Sequence, residues 1–286
     1  AASDVYKRQP IYSQRAWLTG YMVQSDVDSG TIAGLDISGA GTMMGLHYLR
    51  YLGRIDTYEH WLDVGFDDRL FENDILFGTF SLIPDVRSAP ISLTYKGEFP
   101  WRQQQFNFHV QYNANTGMGS DNNKLAYWGN RLYAERNWSH MRYGMTVTHA
   151  YKGWELKGNL SGQYSDDILI SGEQFGLGGA TSVRGYEERE ISKDNGYTIK
   201  LEVSRPWFEK TRLVGFADFG EGSSENVLPG DPPKTQTIAS IGAGIRWQYE
   251  NKLLASIDLA HALKEGAAGQ TDDGDNKIHA TVMVNF

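Results

Sequence analysis

Apolar and polar residues alternate with a period of two along most of this 286-residue chain. Tyr197, Ile199, Leu201 and Val203 alternate with Thr198, Lys200 and Glu202. Trp154, Leu156, Leu160 and Tyr164 share one face with Gly158 and Gly162, while Glu155, Lys157, Asn159, Ser161 and Gln163 share the other. Phe106, Phe108, Val110 and Tyr112 alternate with Asn107, His109, Gln111 and Asn113. Ile241, Ala243, Ile245, Trp247 and Tyr249 alternate with Gly242, Gly244, Arg246 and Gln248. A period of two puts successive side chains on opposite faces of a strand. The pattern predicts thirteen strands, at residues 14–25, 30–37, 40–52, 57–67, 88–99, 103–113, 140–150, 153–165, 196–206, 211–220, 238–249, 253–263 and 277–286. The opening AASDVYKRQ is unlike the rest and is given no structural weight.

A soluble sandwich also alternates, so the connections matter. Counting back from the C-terminus, 264–276 is long and polar and 250–252 is short. Segment 222–237 is long and carries three of the eight prolines, 208–210 is short, 165–196 is very long and 151–153 is short. Segments 72–87 and 115–136 read as further long loops, although ILFGTFSLI within the first is apolar enough to pair. Bacterial outer-membrane barrels alternate long outer loops with short periplasmic turns in this way. Several apolar faces end in aromatics, as an interfacial belt requires. The chain closes with KIHATVMVNF, where Ile278, Ala280, Val282, Val284 and the terminal Phe286 form one apolar face. A terminal aromatic on such a strand resembles the signal by which outer-membrane barrels are recognised for insertion. The expected fold is all-β: a transmembrane antiparallel β-barrel of the outer-membrane type.

Composition fits two unlike faces. The chain has 8 Trp, 16 Tyr, 12 Phe and 32 Gly, and its mean hydropathy of −0.47 averages a lipid face with a wet one. No run of about 18 apolar residues supplies a membrane helix. The net charge of −8 argues against nucleic acid as a partner. The absence of cysteine excludes disulfides and thiolate metal sites.

The long loop holds GEQFGLGGATSVRGYEE, residues 172–188, with Gly172, Gly176, Gly178, Gly179 and Gly185 around Arg184. Glycines permit tight turns and close backbone approach. Such a loop suits folding back into a water-filled lumen, with its arginine anchored to an inward carboxylate. The second strand after the loop reads LVGFADFGEG, and alternation puts Phe216, Asp218 and Gly220 on one face. Asp218 is the expected partner, because guanidinium pairs with carboxylate through two parallel bonds.

Val183, Arg184, Gly185 and Tyr186, then Phe216, Asp218 and Gly220, then Phe286, resemble the motifs of the two-partner secretion transporters, the ShlB/FhaC/HecB (TpsB) family. The resemblance is strongest from His140 onward and weak before Ser88. It implies a VRGY loop tip tucked into the lumen, its arginine paired to the aspartate of an F-x-D-x-G wall motif, and sixteen strands. The thirteen predicted here then resemble the fourth to sixteenth. By this likeness residues 1–286 are the C-terminal part of a barrel whose periplasmic polypeptide-transport-associated (POTRA) domains and first strands lie outside the chain.

The implied function is an outer-membrane pore of a Gram-negative bacterium exporting a large unfolded exoprotein of haemolysin or adhesin type, with energy from folding of that cargo outside. Implied partners are the exoprotein, outer-membrane lipid and the barrel-assembly machinery during insertion. The alternative is a barrel-assembly insertase of the same superfamily; a passive porin has no need of the VRGY tip.

Other chemistry is weaker. Gly176-Leu177-Gly178 matches part of a dinucleotide fingerprint, but no βαβ pattern surrounds it. TDDGDN at 271–276 lacks the spacing and distal Glu of a calcium loop and reads as solvated. Asp166-Asp167 and Glu187-Glu188 point apart rather than together. His47, His60, His109, His140, His149, His261 and His279 include no i, i+4 pair, and no G-x-S-x-G elbow occurs. No catalytic residue, metal or cofactor is assigned.

Overall fold

Each alternating segment pairs with its neighbour in the chain, and the pairs run into one antiparallel path. The computed structural model describes residues 2–25, 30–32, 35–37, 41–72, 76–77, 80–81, 84–250 and 252–284. The wall strands are β1 (Ala2–Ile11), β2 (Ala16–Ser25), β3 (Gly41–Ile55), β4 (Tyr58–Phe71), β5 (Pro90–Trp101), β6 (Gln104–Asn115) and β7 (Ser139–Tyr151). They continue as β8 (Trp154–Tyr164), β9 (Asn195–Phe208), β10 (Thr211–Ser223), β11 (Thr235–Tyr249), β12 (Leu253–Ala262) and β13 (Asn276–Val284). The short strand Val86–Ser88 adds to β4, making a 14-stranded sheet. Among the described residues no helix is long and apolar enough to cross a membrane.

Burial is inverted relative to a soluble protein. On β9, Ile199, Leu201 and Val203 are exposed, Leu201 at 56%, while Thr198 and Ser204 are buried. Trp154, Leu156 and Tyr164 on β8, and Ile241, Ile245, Trp247 and Tyr249 on β11, also point outward, whereas Gln163 and Ser240 are buried. Apolar side chains facing out and polar ones facing in is the arrangement a lipid surround demands.

Short turns gather at one end and long connections at the other. In the β7–β8 turn, Lys152 (φ 48°) and Gly153 (φ 82°) both have left-handed backbone, the twist-matched geometry of a two-residue hairpin. The long connection from β8 to β9 turns inward. Its Glu173 meets Arg69 on β4, and its Gly185 meets His279 on β13. Strands far apart in the path touch one loop, so the sheet curls around it.

Inward rings use glycines as seats on the neighbouring strand. A Cβ at Gly45 would lie 2.4 Å from the Tyr21 ring, at Gly65 2.3 Å from His47, and at Gly242 2.2 Å from Phe216. Part of the glycine content is therefore space for rings against the wall.

Two expectations are corrected. Ala2–Ile11, given no structural weight, is a full strand paired along its length with β2. Its weak alternation hid it, because backbone hydrogen bonding to β2 sets the pairing. The expected wall strand at 30–37 is instead two short strands, Gly30–Ile32 and Leu35–Ile37, that pair only with each other, and residues 33 and 34 lie outside the described residues. One strand gained and one lost leave thirteen strands in the path. In the apolar ILFGTFSLI stretch, Leu76–Phe77 pairs with Phe80–Ser81, off the wall. Phe286 lies outside the described residues.

Among the described residues β1 and β13 do not pair with each other. In hydrocarbon each unpaired backbone group costs several kcal/mol, so both edges call for a partner strand.

Leu201 lies mid-strand on the lipid face. Leu201→Arg is expected to cost about 2–4 kcal/mol at bilayer mid-depth, and heat-modifiable, folded barrel recovered from the outer membrane should fall sharply.

Candidate functional site: a loop latched inside the sheet

The loop between β8 and β9 begins with a 3-10 turn, Ser171–Glu173, and a small hairpin of Phe175–Leu177 with Ile191–Lys193. The hairpin lifts the tip, Val183 to Tyr186, onto the inner wall. Leu177, Val183, Tyr186 and Ile191 pack with wall residues Ile238 and Ala262 in one buried apolar cluster. Gly220 makes room for it: a Cβ there would lie 2.9 Å from both the Leu177 and the Val183 side chains. Gly185 has φ +97°, a left-handed conformation that a side chain would strain.

Arg184, 2% exposed, lies at the centre. Its Nε donates to Asp218 Oδ2 at 2.7 Å and its Nη2 to Asp218 Oδ1 at 2.8 Å, a bidentate pair. Its backbone N–H adds a third bond to Asp218 Oδ2 at 3.2 Å. Nη1 donates to Glu202 Oε1 at 2.7 Å and reaches Asp258 Oδ2 at 3.4 Å. The guanidinium carbon lies 3.5 Å from the centroid of the Phe216 ring. Charge, hydrogen bonding and cation–π stacking thus coincide on one group. Arg246 holds Asp258 through both nitrogens at 2.6 and 2.8 Å, and Lys200 lies opposite Asp218 in register. Three cations face three carboxylates, so the cluster is neutral as a set.

The rest of the tip is tied to the last strands. Tyr186 Oη has the carbonyls of Lys264 at 2.7 Å and Ala239 at 2.9 Å to receive its one proton, and it accepts from the Ala239 N–H at 3.2 Å. Gly185 N–H donates to His279 Nε2 at 2.9 Å. Glu187 pairs with Lys277. Glu190 accepts from Ala267 N–H at 2.9 Å and from Thr271 Oγ1 at 2.7 Å. Thr271 is accordingly buried, unlike the solvated position expected of it.

A second anchor holds the root of the loop. Glu173, fully buried, accepts from Arg69 Nη1 at 2.9 Å and from Ser88 Oγ at 2.7 Å. Burial alone would raise its pKa, but the Arg69 charge and the His140 ring hold it down at about 2. Asp194 accepts both Nη groups of Arg131, together with the backbone N–H groups of Leu169 and Glu225, stapling three outer loops together.

The structure thus brings together Val183, Arg184, Gly185, Tyr186, Phe216, Asp218 and Gly220. Glu202, Asp258, Arg246, His279 and Glu173 escaped the sequence reading. Alternation with Leu201 and Val203 marks Glu202 as inward, but only the register shows which carboxylate reaches the arginine.

A family model described as haemolysin secretion/activation protein ShlB/FhaC/HecB matches residues 62–247. The chain belongs to this family. It is an outer-membrane β-barrel protein of a Gram-negative bacterium. The heme/hemopexin transporter protein HuxB of Haemophilus influenzae is 27% identical over 119 residues, 39% of this chain and 21% of HuxB. The hemolysin transporter protein HpmB of Proteus mirabilis is 28% identical over 129 residues, 44% of this chain and 22% of HpmB. The structure of CdiB from Acinetobacter baumannii superposes with a TM-score of 0.69 at 17% identity, covering 99% of this chain and 50% of CdiB. The chain therefore spans about a fifth of these curated relatives and half of that structure.

Two outcomes follow from the packing. Gly220→Val is expected to overpack the Leu177–Val183 contact at a cost of about 1–3 kcal/mol, read as a lowered melting temperature of the barrel in detergent. Glu173→Gln should destabilise the loop root by about 1–3 kcal/mol in the same assay at neutral pH. With its folded pKa below its unfolded value, Glu173 contributes fully above about pH 4.5 and loses that contribution as pH falls toward 2. The difference between Glu173→Gln and the parent should therefore shrink in acid.

Proposed function

We propose that this chain is the C-terminal part of an outer-membrane transporter barrel that passes a large unfolded exoprotein, of haemolysin or adhesin type, outward in two-partner secretion. On this reading periplasmic domains and further strands precede it in the full protein. The partners are the exoprotein cargo, the surrounding lipid and the barrel-assembly machinery during insertion. The family match and the transporter names of HuxB and HpmB support this over the insertase alternative.

The observation that carries the proposal is the buried bidentate pair of Arg184 with Asp218. A pore for an extended chain needs a polar, hydrated interior and a device that sets whether the path is occupied. The loop fills one side of the interior. Beside it lies a cavity of about 660 Å³ whose lining includes Tyr21, His47, Asp63, Lys96, Gln111 and Arg142. Such a wall can exchange hydrogen bonds with a passing backbone without selecting a sequence. The latch sets the loop's resting position beside that path. Removing one member of a buried pair costs about 3–5 kcal/mol because the other charge is left uncompensated.

In the full-length protein, Arg184→Ala and Asp218→Ala are each expected to abolish secretion of the exoprotein while folded barrel still reaches the outer membrane. Arg184→Lys, which keeps the charge but not the bidentate geometry, should recover little. Secretion at the parent level by both alanine variants overturns the proposal.

A further inference from the structure

We infer that His279 is a positioning residue that pins the loop tip to the last wall strand only while its imidazole is neutral. The inference rests on the reading of the Arg184 cluster as a loop latch, and deepens it.

The hydrogen bond from Gly185 N–H to His279 Nε2 has one possible direction, since a backbone amide can only donate. Nε2 must therefore carry no proton, and the ring is neutral with its proton on Nδ1. An imidazolium has no acceptor. It would set an N–H against the Gly185 N–H and add a positive charge beside Arg184.

The surrounding groups offer that charge little compensation. From the loop, Arg184 and Glu187 face the ring; from its own strand, Lys277; from β12, Asp258, its partner in register. Glu187 is already paired with Lys277, and Asp258 is held by both nitrogens of Arg246. His279 is only half-buried, so protons reach it. Gly185 cannot compensate through a side chain, and its left-handed backbone fixes where its N–H points. Lys277 and His279, two residues apart on one face of β13, hold the tip at Glu187 and Gly185. Protonation releases the second of these contacts and strains the first. Acid would loosen the tip from β13 while Asp218 still holds Arg184.

The test uses the full-length protein in outer-membrane vesicles, with Ser182→Cys as a probe. The Ser182 hydroxyl is buried without a hydrogen-bond partner, and this chain has no cysteine of its own. Maleimide labelling of residue 182, located by peptide mapping, is measured at pH 7.5 and 5.5 and divided by the rate for denatured protein at each pH. This removes the titration of the thiol itself. The expected result is a protection about tenfold lower at pH 5.5 than at pH 7.5, the scale of one lost hydrogen bond. His279→Gln, whose amide oxygen accepts at both pH values, should be protected equally at both. His279→Lys, which has only donors, should be poorly protected at both. Equal protection of the His279 protein at the two pH values overturns the inference. So does an unchanged pH dependence in His279→Gln or in a second acceptor variant, His279→Asn. Protection that follows His279, together with secretion indifferent to Arg184→Ala, would retire the export reading and keep the pin.

Discussion

A guanidinium buried inside a barrel has to be neutralised where it lies, and the architecture around Arg184 follows from that constraint. Desolvating a charge is costly, and only close carboxylates with good geometry offset the cost. Asp218 supplies the bidentate partner, Glu202 and Asp258 take the remaining nitrogen, and Phe216 covers the face. These residues come from β9, β10 and β12, so the cluster reads the relative register of three strands. A slip of one residue would send Asp218 to the lipid face. The latch and the wall are therefore specified together, the register placing the carboxylates and the arginine rewarding that register.

The loop is held at two places by different means. At the tip the arginine cluster acts with the Leu177–Val183–Tyr186 packing that Gly220 admits. At the root Glu173 bonds to Arg69 and Ser88, on the opposite part of the sheet. Ten residues separate Glu173 from Arg184 in the chain, and the segment between them, with the first hairpin strand, Phe175–Leu177, and its glycines, spans from one anchor to the other. Opening the path beside the loop can then proceed by releasing one anchor while the other keeps the loop attached.

How much of this could be read in advance depended on whether the determinant was local. Alternation such as Ile199–Leu201–Val203 against Thr198–Lys200–Glu202 is enforced residue by residue, because lipid lies on one face and water on the other, so most wall strands were legible. β1 was not, because Ala2–Ile11 is held by hydrogen bonds to β2 rather than by an apolar face. The 30–37 stretch misled because a brief alternation does not show that a segment belongs to the wall. Arg184 and Asp218 were legible through motifs of fixed local spacing. Glu173, Asp258, Arg246 and His279 were not: each acts through a partner on another element, 12 residues away for Arg246 and Asp258, 94 for His279 and Gly185 and 104 for Glu173 and Arg69, and only the folded arrangement of strands and loop brings them together.

The account stands on Arg184 and Asp218 acting as one unit that fixes the loop. Hydrogen exchange of the 180–190 segment in the membrane-embedded full-length protein tests this directly, in a double-mutant cycle of Arg184→Ala and Asp218→Ala. The account predicts slow exchange in the parent, comparable to the wall strands, with both single variants and the double variant exposing the segment to the same extent. Additive effects of the two substitutions, or exchange unchanged by either, would contradict it.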